Sequence, residues 1–188
     1  REMARLISGV SGRGFAPAKD SKALLGTESQ SLIFCENSRL TAGYGVARAV
    51  REDEQVSGDN FSFQMLDNGC CVMAVSDGMG SGYAACKESE MVIDLIEKFM
   101  EAGFLPDTAL RMMNSAMVTH GEHNLFSTVD LMRLDLDSGE AAFYKIGAAT
   151  TFIRHGKEVR MVTQKSMPVG VFVGQQVPKV TEQLADGD

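Results

Sequence analysis

Six apolar residues in succession, Cys70-Cys71-Val72-Met73-Ala74-Val75, limit more than any other feature how this chain can fold. An apolar run of strand length needs cover on both faces, so it predicts a central strand. The run stops at Ser76-Asp77-Gly78-Met79-Gly80-Ser81-Gly82, which delivers Asp77 to a strand end in a glycine-rich turn.

Around that strand the pattern alternates. Ala42, Tyr44 and Val46 alternate with Gly43 and Gly45, and Phe61, Phe63 and Met65 alternate with Ser62 and Gln64, which predicts two half-buried strands joined by the charged turn Arg51 to Asp59. Met91/Val92, Leu95/Ile96 and Phe99/Met100 recur every four residues as one helical stripe that Gly103 ends. A second helix is predicted after Pro106, with Asp107 as its cap and Leu110, Met113 and Met117 turned inward. Strand patterns return at 128–136, 141–146, 151–154 and 159–163. Strands, a helix pair and a meander imply an antiparallel, layered α+β domain.

Residues 1–40 carry turn chemistry without a sustained period and read as a linker or flexible arm with room for one short helix. At 188 residues, one domain is the working count. Eighteen basic against 25 acidic residues give a net charge of −7, a poor basis for gripping nucleic acid. Cys35, Cys70, Cys71 and Cys86 form no C-x-x-C pair, the pattern of a reduced, cytosolic-type protein. The start at Arg1 and the stop at Asp188 read as an excised piece of a larger protein.

The turn at 76–82 fits neither common phosphate cradle: a P-loop needs Gly-Lys-Ser/Thr, and a dinucleotide fingerprint needs a glycine where Tyr83 stands. Alone, Asp77 reads more readily as the cap of the following helix than as a site residue. A second acidic turn, Val56-Ser57-Gly58-Asp59-Asn60, shifts that balance. If 61–65 and 71–75 form a hairpin, Asp59 and Asp77 become neighbours. Two carboxylates held close repel and share a proton or a cation. Oxygen donors without Cys or His nearby favour Mg²⁺ or Mn²⁺ over zinc. Asp130 alternates with Met132 and Leu134; the sequence leaves open whether it faces such a site or pairs with Arg133 or Lys145. His120 and His123 sit in a loop-like Gly-Glu-His-Asn context and are read as solvated, and the twelve methionines as core filler.

Taken in order, Val56 to Asn60, Val75 to Gly82, Ser127-Thr128-Val129-Asp130-Leu131, Lys145-Ile146-Gly147-Ala148 and Ser166-Met167-Pro168-Val169-Gly170 are similar to successive motifs of the phosphatase domain of the stage II sporulation protein E family. That family lies within the metal-dependent, type 2C protein serine/threonine phosphatases, and the resemblance runs from about Thr41 to Asp188. It implies a four-layer α-β-β-α sandwich of antiparallel sheets, C-terminally truncated here, so that 41–188 is a partial phosphatase domain. Asp59 and Asp77 become metal-site carboxylates, Asp77 bridges two Mn²⁺ or Mg²⁺ ions, and the carbonyl of Gly78 is a further ligand. Asp77 and Asp130 are the candidate catalytic side chains.

The chain departs from the wider family in two respects. Met79 stands where many type 2C enzymes have His, which leaves the leaving-group acid unassigned. The family's two further acids are expected beyond Asp188, so the 188-residue chain is expected to be inactive. By resemblance the substrate is a phosphoserine on an anti-sigma-factor antagonist, and the helix pair after Asp77 is a switch. The same resemblance implies a membrane-anchored parent protein with this domain in the cytoplasm, and open strand edges are expected to favour a homodimer. The competing readings are a non-catalytic scaffold of the same fold and a histidine-kinase-type ATPase, whose Asp-x-Gly-x-Gly loop Met79 puts out of register.

Overall fold

The computed structural model describes residues 2–18, 29, 31–50, 54–119 and 126–188. The apolar run is β4 (Cys70–Asp77), the second strand of a five-stranded antiparallel sheet. Its neighbours are β3 (Asp59–Met65) on one side and β5 (Val129–Asp135) on the other, followed by β6 (Glu140–Ile146) and β9 (Lys179–Gln183). Cys70, Cys71, Val72 and Ala74 are all essentially buried, as a strand with both faces covered requires.

Side-chain alternation divides this sheet cleanly. On one face Val72, Ala74, Val129, Leu131, Ala142, Tyr144 and Ile146 pack against α2 (Gly82–Glu101) and α3 (Pro106–Thr119). The helices bring Val92, Ile93, Ile96, Leu110 and Met113 to that contact; each large apolar side chain buried this way contributes about 1.5–3 kcal/mol. The opposite, inner face carries Cys71, Leu134, Ala141 and Phe143 against Ile153 and Val162 of a second sheet, the hairpin β7 (Thr151–His155) and β8 (Glu158–Val162). Helix pair, sheet and second sheet are thus stacked in order, the α+β arrangement the element sequence implies.

α2 ends where the apolar stripe does. Gly103 has φ 80°, its N–H bonds the Met100 carbonyl, and Phe104 N–H reaches back to Phe99 O, with the two rings 5.4 Å apart edge to face. α3 begins two residues earlier than the cap reading predicts: Pro106 is its first residue, so Asp107 lies inside the first turn and bonds Arg111 at 2.8 Å.

Three further differences from the sequence reading stand out. Residues 41–50 form no strand, although Ala42, Tyr44 and Val46 alternate. They run beside the inner face of β3, where Tyr44 stacks on Phe63 at 4.3 Å; side chains alternate there, but no ladder partner is present among the described residues. The third strand-like tail, β9, pairs with β6 through exposed and half-buried residues whose apolar content is too low to mark it. The amino-terminal region holds, besides the one short helix the sequence allows, α1 (Glu2–Ser11), a small two-stranded sheet of β1 (Phe15–Pro17) and β2 (Phe34–Glu36) that it does not announce. No described helix is long and apolar enough to cross a membrane.

Candidate functional site

The β3–β4 hairpin sets Asp59 directly opposite Asp77, with Asn60 opposite Ser76 and Phe61 opposite Val75. Antiparallel partners point to the same side of the sheet, so both carboxylates emerge on the inner face at the hairpin's open end. Both residues are exposed there. Asp77 is not the helix cap: α2 is capped by Ser81, four residues on. Ser81 makes no side-chain cap bond. Glu54 lies there instead, its Oε2 only 2.7 Å from where a Cβ on Gly82 would sit. A carboxylate beside a helix N-terminus is favourably placed.

The backbone at Asp77 is held from three sides. Thr128 N–H donates to the Asp77 carbonyl at 2.9 Å, Asp77 N–H donates to Thr128 Oγ1 at 3.1 Å, and Gly78 N–H donates to the Gly58 carbonyl at 3.1 Å. Ser127 Oγ also donates to the Asp77 carbonyl, at 2.8 Å. That commits the single Ser127 hydroxyl proton, so Ser76 Oγ donates the 2.7 Å bond between the two serines, both fully buried. On the other strand Ser57 Oγ donates to Asp59 Oδ2 at 3.1 Å, and Arg48 reaches the Asp59 carbonyl at 2.7 Å.

Gly78 has no room for a side chain: a Cβ there would lie 2.0 Å from the Ala85 carbonyl in the first turn of α2. A Cβ on Gly58 would meet Ala85 Cβ at 3.1 Å and the Gly78 carbonyl at 3.4 Å. The two acidic turns and the start of α2 therefore close on one another where Gly58 and Gly78 carry no side chain, which places the Gly78 carbonyl against the Gly58 turn.

The electrostatics follow from this crowding. Desolvation, then the Asp59 charge and its hydrogen bond, raise the Asp77 carboxyl above its ordinary range. A proton or a cation relieves this pair. Two carboxylates and a backbone carbonyl, without sulfur or imidazole, suit a hard divalent ion. The donor count is low: among the described residues no three His, Cys, Asp or Glu side chains converge.

Asp130 shares the inner face with Asp77, one strand over and opposite Val75. Of the two alternatives the sequence leaves open, the structure places it in a pair with Lys145. The fully buried Lys145 ammonium bonds Asp130 Oδ2 and Thr151 Oγ1, the latter at 2.8 Å, and Thr151 Oγ1 in turn donates to Asp130 at 2.6 Å. This triad joins β5, β6 and β7. Met79 is 53% exposed at the turn. His120 and His123 lie outside the described residues. Sequence reasoning missed the Ser76–Ser127 pair, Arg48 and Asn60, because a short polar residue in a strand or turn announces no partner until the strands are paired.

Residues 67–188 match the family described as Stage II sporulation protein E (SpoIIE). Over 144 residues, 77% of this chain, the sequence is 35% identical to stage II sporulation protein E of Bacillus subtilis (strain 168) and 33% identical to that of Priestia megaterium. The chain spans 17% and 25% of the length of those two relatives. Among solved structures it resembles the PP2C phosphatase domain and a fragment of the regulatory domain of the cell fate determinant SpoIIE from Bacillus subtilis, with TM-score 0.76, 30% identity, and coverage of 97% of this chain and 54% of that one. RsbX in complex with magnesium shares the fold, with TM-score 0.62 and 20% identity over 74% of this chain and 66% of the other.

Two outcomes are expected. A carboxyl whose proton affinity is raised by folding stabilises the native state at low pH and loses that contribution as pH rises through the raised value. In metal-free buffer, Asp77→Asn is therefore expected to raise the melting temperature at pH 7 and to lose its advantage below about pH 4; a variant less stable than wild type at pH 7 would contradict the repulsion. Asp130→Ala strands the Lys145 ammonium and is expected to cost about 3–5 kcal/mol in urea unfolding, most of it recovered by adding Lys145→Met.

Proposed function

The chain belongs to the stage II sporulation protein E family, and from that footing we propose that it forms part of a metal-dependent, type 2C protein serine/threonine phosphatase domain whose metal site is built on Asp59, Asp77 and the carbonyl of Gly78. The observation that carries the reading is the register of β3 and β4, which holds two carboxylates face to face at an exposed strand end. Such a pair is costly unless something positive lies between its members.

Mn²⁺ or Mg²⁺ is the ion this oxygen-only donor set favours. When bound, divalent ions in a phosphatase site lower the pKa of a water and offset charge on the phosphoryl oxygens. The chain's own part is positional. The Ser76–Ser127–Asp77 carbonyl chain and the Thr128 bonds fix the Asp77 backbone, Ser57 orients the Asp59 carboxylate, and Ala85 fixes the Gly78 carbonyl against Gly58. Asp130 serves the site as a structural anion for Lys145 in this reading, not as the acid that protonates the leaving serine.

The proposed substrate is a protein phosphoserine, carried on an anti-sigma-factor antagonist, and the proposed setting is the cytoplasmic side of a membrane-anchored parent. Both come from family membership. Among the described residues β3 and β9 have no strand on their outer edges, which favours a homodimer; a mass that stays monomeric in light scattering at every concentration would remove that part.

Because two carboxylates and one carbonyl hold an ion weakly, the 188-residue chain is expected to release no phosphate above background from a phosphoserine peptide with Mn²⁺. Mn²⁺ is nevertheless expected to raise its melting temperature saturably in wild type and not in Asp59→Asn. Hydrolysis by this chain would refute the inactivity. Equal Mn²⁺ response in the variant would refute the site and favour a scaffold of the same fold.

A further inference from the structure

Ser89 breaks the apolar stripe of α2. It is fully buried between Ala85 and Val92, where an unbonded hydroxyl is costly. Helical serines and threonines ordinarily spend their proton on a carbonyl one turn back, as Ser115 does on Arg111 O and Thr119 on Ser115 O in α3. Ser89 Oγ has such a carbonyl available, Cys86 O at 3.0 Å, but its shorter contact leaves the helix, to Gly58 O at 2.6 Å.

Gly58 O is also the acceptor for Gly78 N–H. One carbonyl thus joins α2, the turn before Asp59 and the turn after Asp77. Asn60 completes the link: its Nδ2 donates to Ser89 Oγ at 2.9 Å and to Cys86 O at 3.0 Å, while its Oδ1 accepts from Arg48 at 3.2 Å. Asn60 donates to a lone pair of the Ser89 hydroxyl, and the shorter of that hydroxyl's two carbonyl contacts directs its proton at Gly58. Nothing in this corner has slack, because a Cβ on Gly58 or Gly78 would run into Ala85.

We infer that Ser89, oriented by Asn60, is a positioning residue that sets the separation of the Gly58 and Gly78 turns and so the spacing of Asp59 and Asp77. The part of this that concerns metal affinity rests on the proposed phosphatase site; the part that concerns backbone spacing does not.

Amide hydrogen exchange on the 188-residue chain in metal-free buffer separates the two. Ser89→Ala is expected to speed exchange at Gly78 by about fivefold to tenfold relative to Val72 and Ala74, the ratio equivalent to one net hydrogen bond. Ser89→Thr, which keeps the hydroxyl, is expected to retain protection. Ile96→Val, a buried truncation on the same helix without contact to either turn, is expected to leave the Gly78 ratio unchanged at a matched loss of melting temperature. Should Ser89→Ala unfold the chain, Ser89→Cys keeps the volume with a weak donor and carries the same expectation at reduced size. A Gly78 ratio unmoved by loss of the hydroxyl, or moved equally by Ile96→Val, overturns the inference. In a Mn²⁺ titration the Ser89 variants lacking a hydroxyl are expected to bind more weakly by a similar factor. If wild type itself fails to respond to Mn²⁺, the phosphatase reading falls while the exchange ratio still decides this one; if wild type responds and the variants match it, the positioning role is refuted.

Discussion

Everything about this molecule turns on a repulsion that the β-sheet enforces. The ladder between β3 and β4 places Asp59 across from Asp77, and no rotation of either strand separates them without breaking the register of Phe61 with Val75 and Phe63 with Met73. A sheet holds its register because slipping β4 by one residue would turn buried Cys71 to the helix side and Val72 and Ala74 away from it. Hydrophobic burial therefore underwrites the like-charge contact. The proton affinity of Asp77 is raised first by desolvation and then by the Asp59 charge.

The sheet's two faces have different tasks. Its helix-side face carries the main apolar cluster across β4, β5 and β6 and anchors α2 and α3. Its inner face carries two ionisable pairs, Asp59 and Asp77 at the hairpin's open end and Asp130 with Lys145 farther across. The second pair is neutralised internally, with Thr151 as the third partner, and ties the main sheet to the second one. Among the described residues no ion pair reaches the first pair. That contrast, on one face of one sheet, is why Asp59 and Asp77 read as a site for something external and Asp130 as structure. Family membership and the solved phosphatase domain it resembles give the same reading its chemical class.

Much of this was legible beforehand because it depends on pattern. Continuous apolarity over 70–75 marked the covered strand, four-residue spacing marked α2, and hairpin geometry alone brought the two acidic turns together. What escaped was pairing between polar groups distant in sequence: Ser76 with Ser127, Ser89 with Gly58, and Thr151 with Asp130 and Lys145, the Asp130–Lys145 pair itself being one of the alternatives the sequence left open. A serine or lysine has the same one-dimensional signature on a wet surface as in a bonded interior. The Ala42–Val46 alternation failed for a related reason, since alternation reports side-chain placement and says nothing of whether a ladder partner exists. Asp107 failed as a cap because Pro106, with its φ already helical and no N–H to satisfy, opens the helix ahead of it.

The most direct check is Mn²⁺-induced paramagnetic broadening of backbone amide resonances in the 188-residue chain. If Asp59 and Asp77 share a cation, substoichiometric Mn²⁺ broadens Asp59, Asn60, Asp77 and Gly78 first, leaves the distant β7–β8 turn sharp, and loses this selectivity when Asp77 becomes Asn. Broadening centred on other acidic residues, or an identical pattern in the Asp77→Asn chain, would contradict the account.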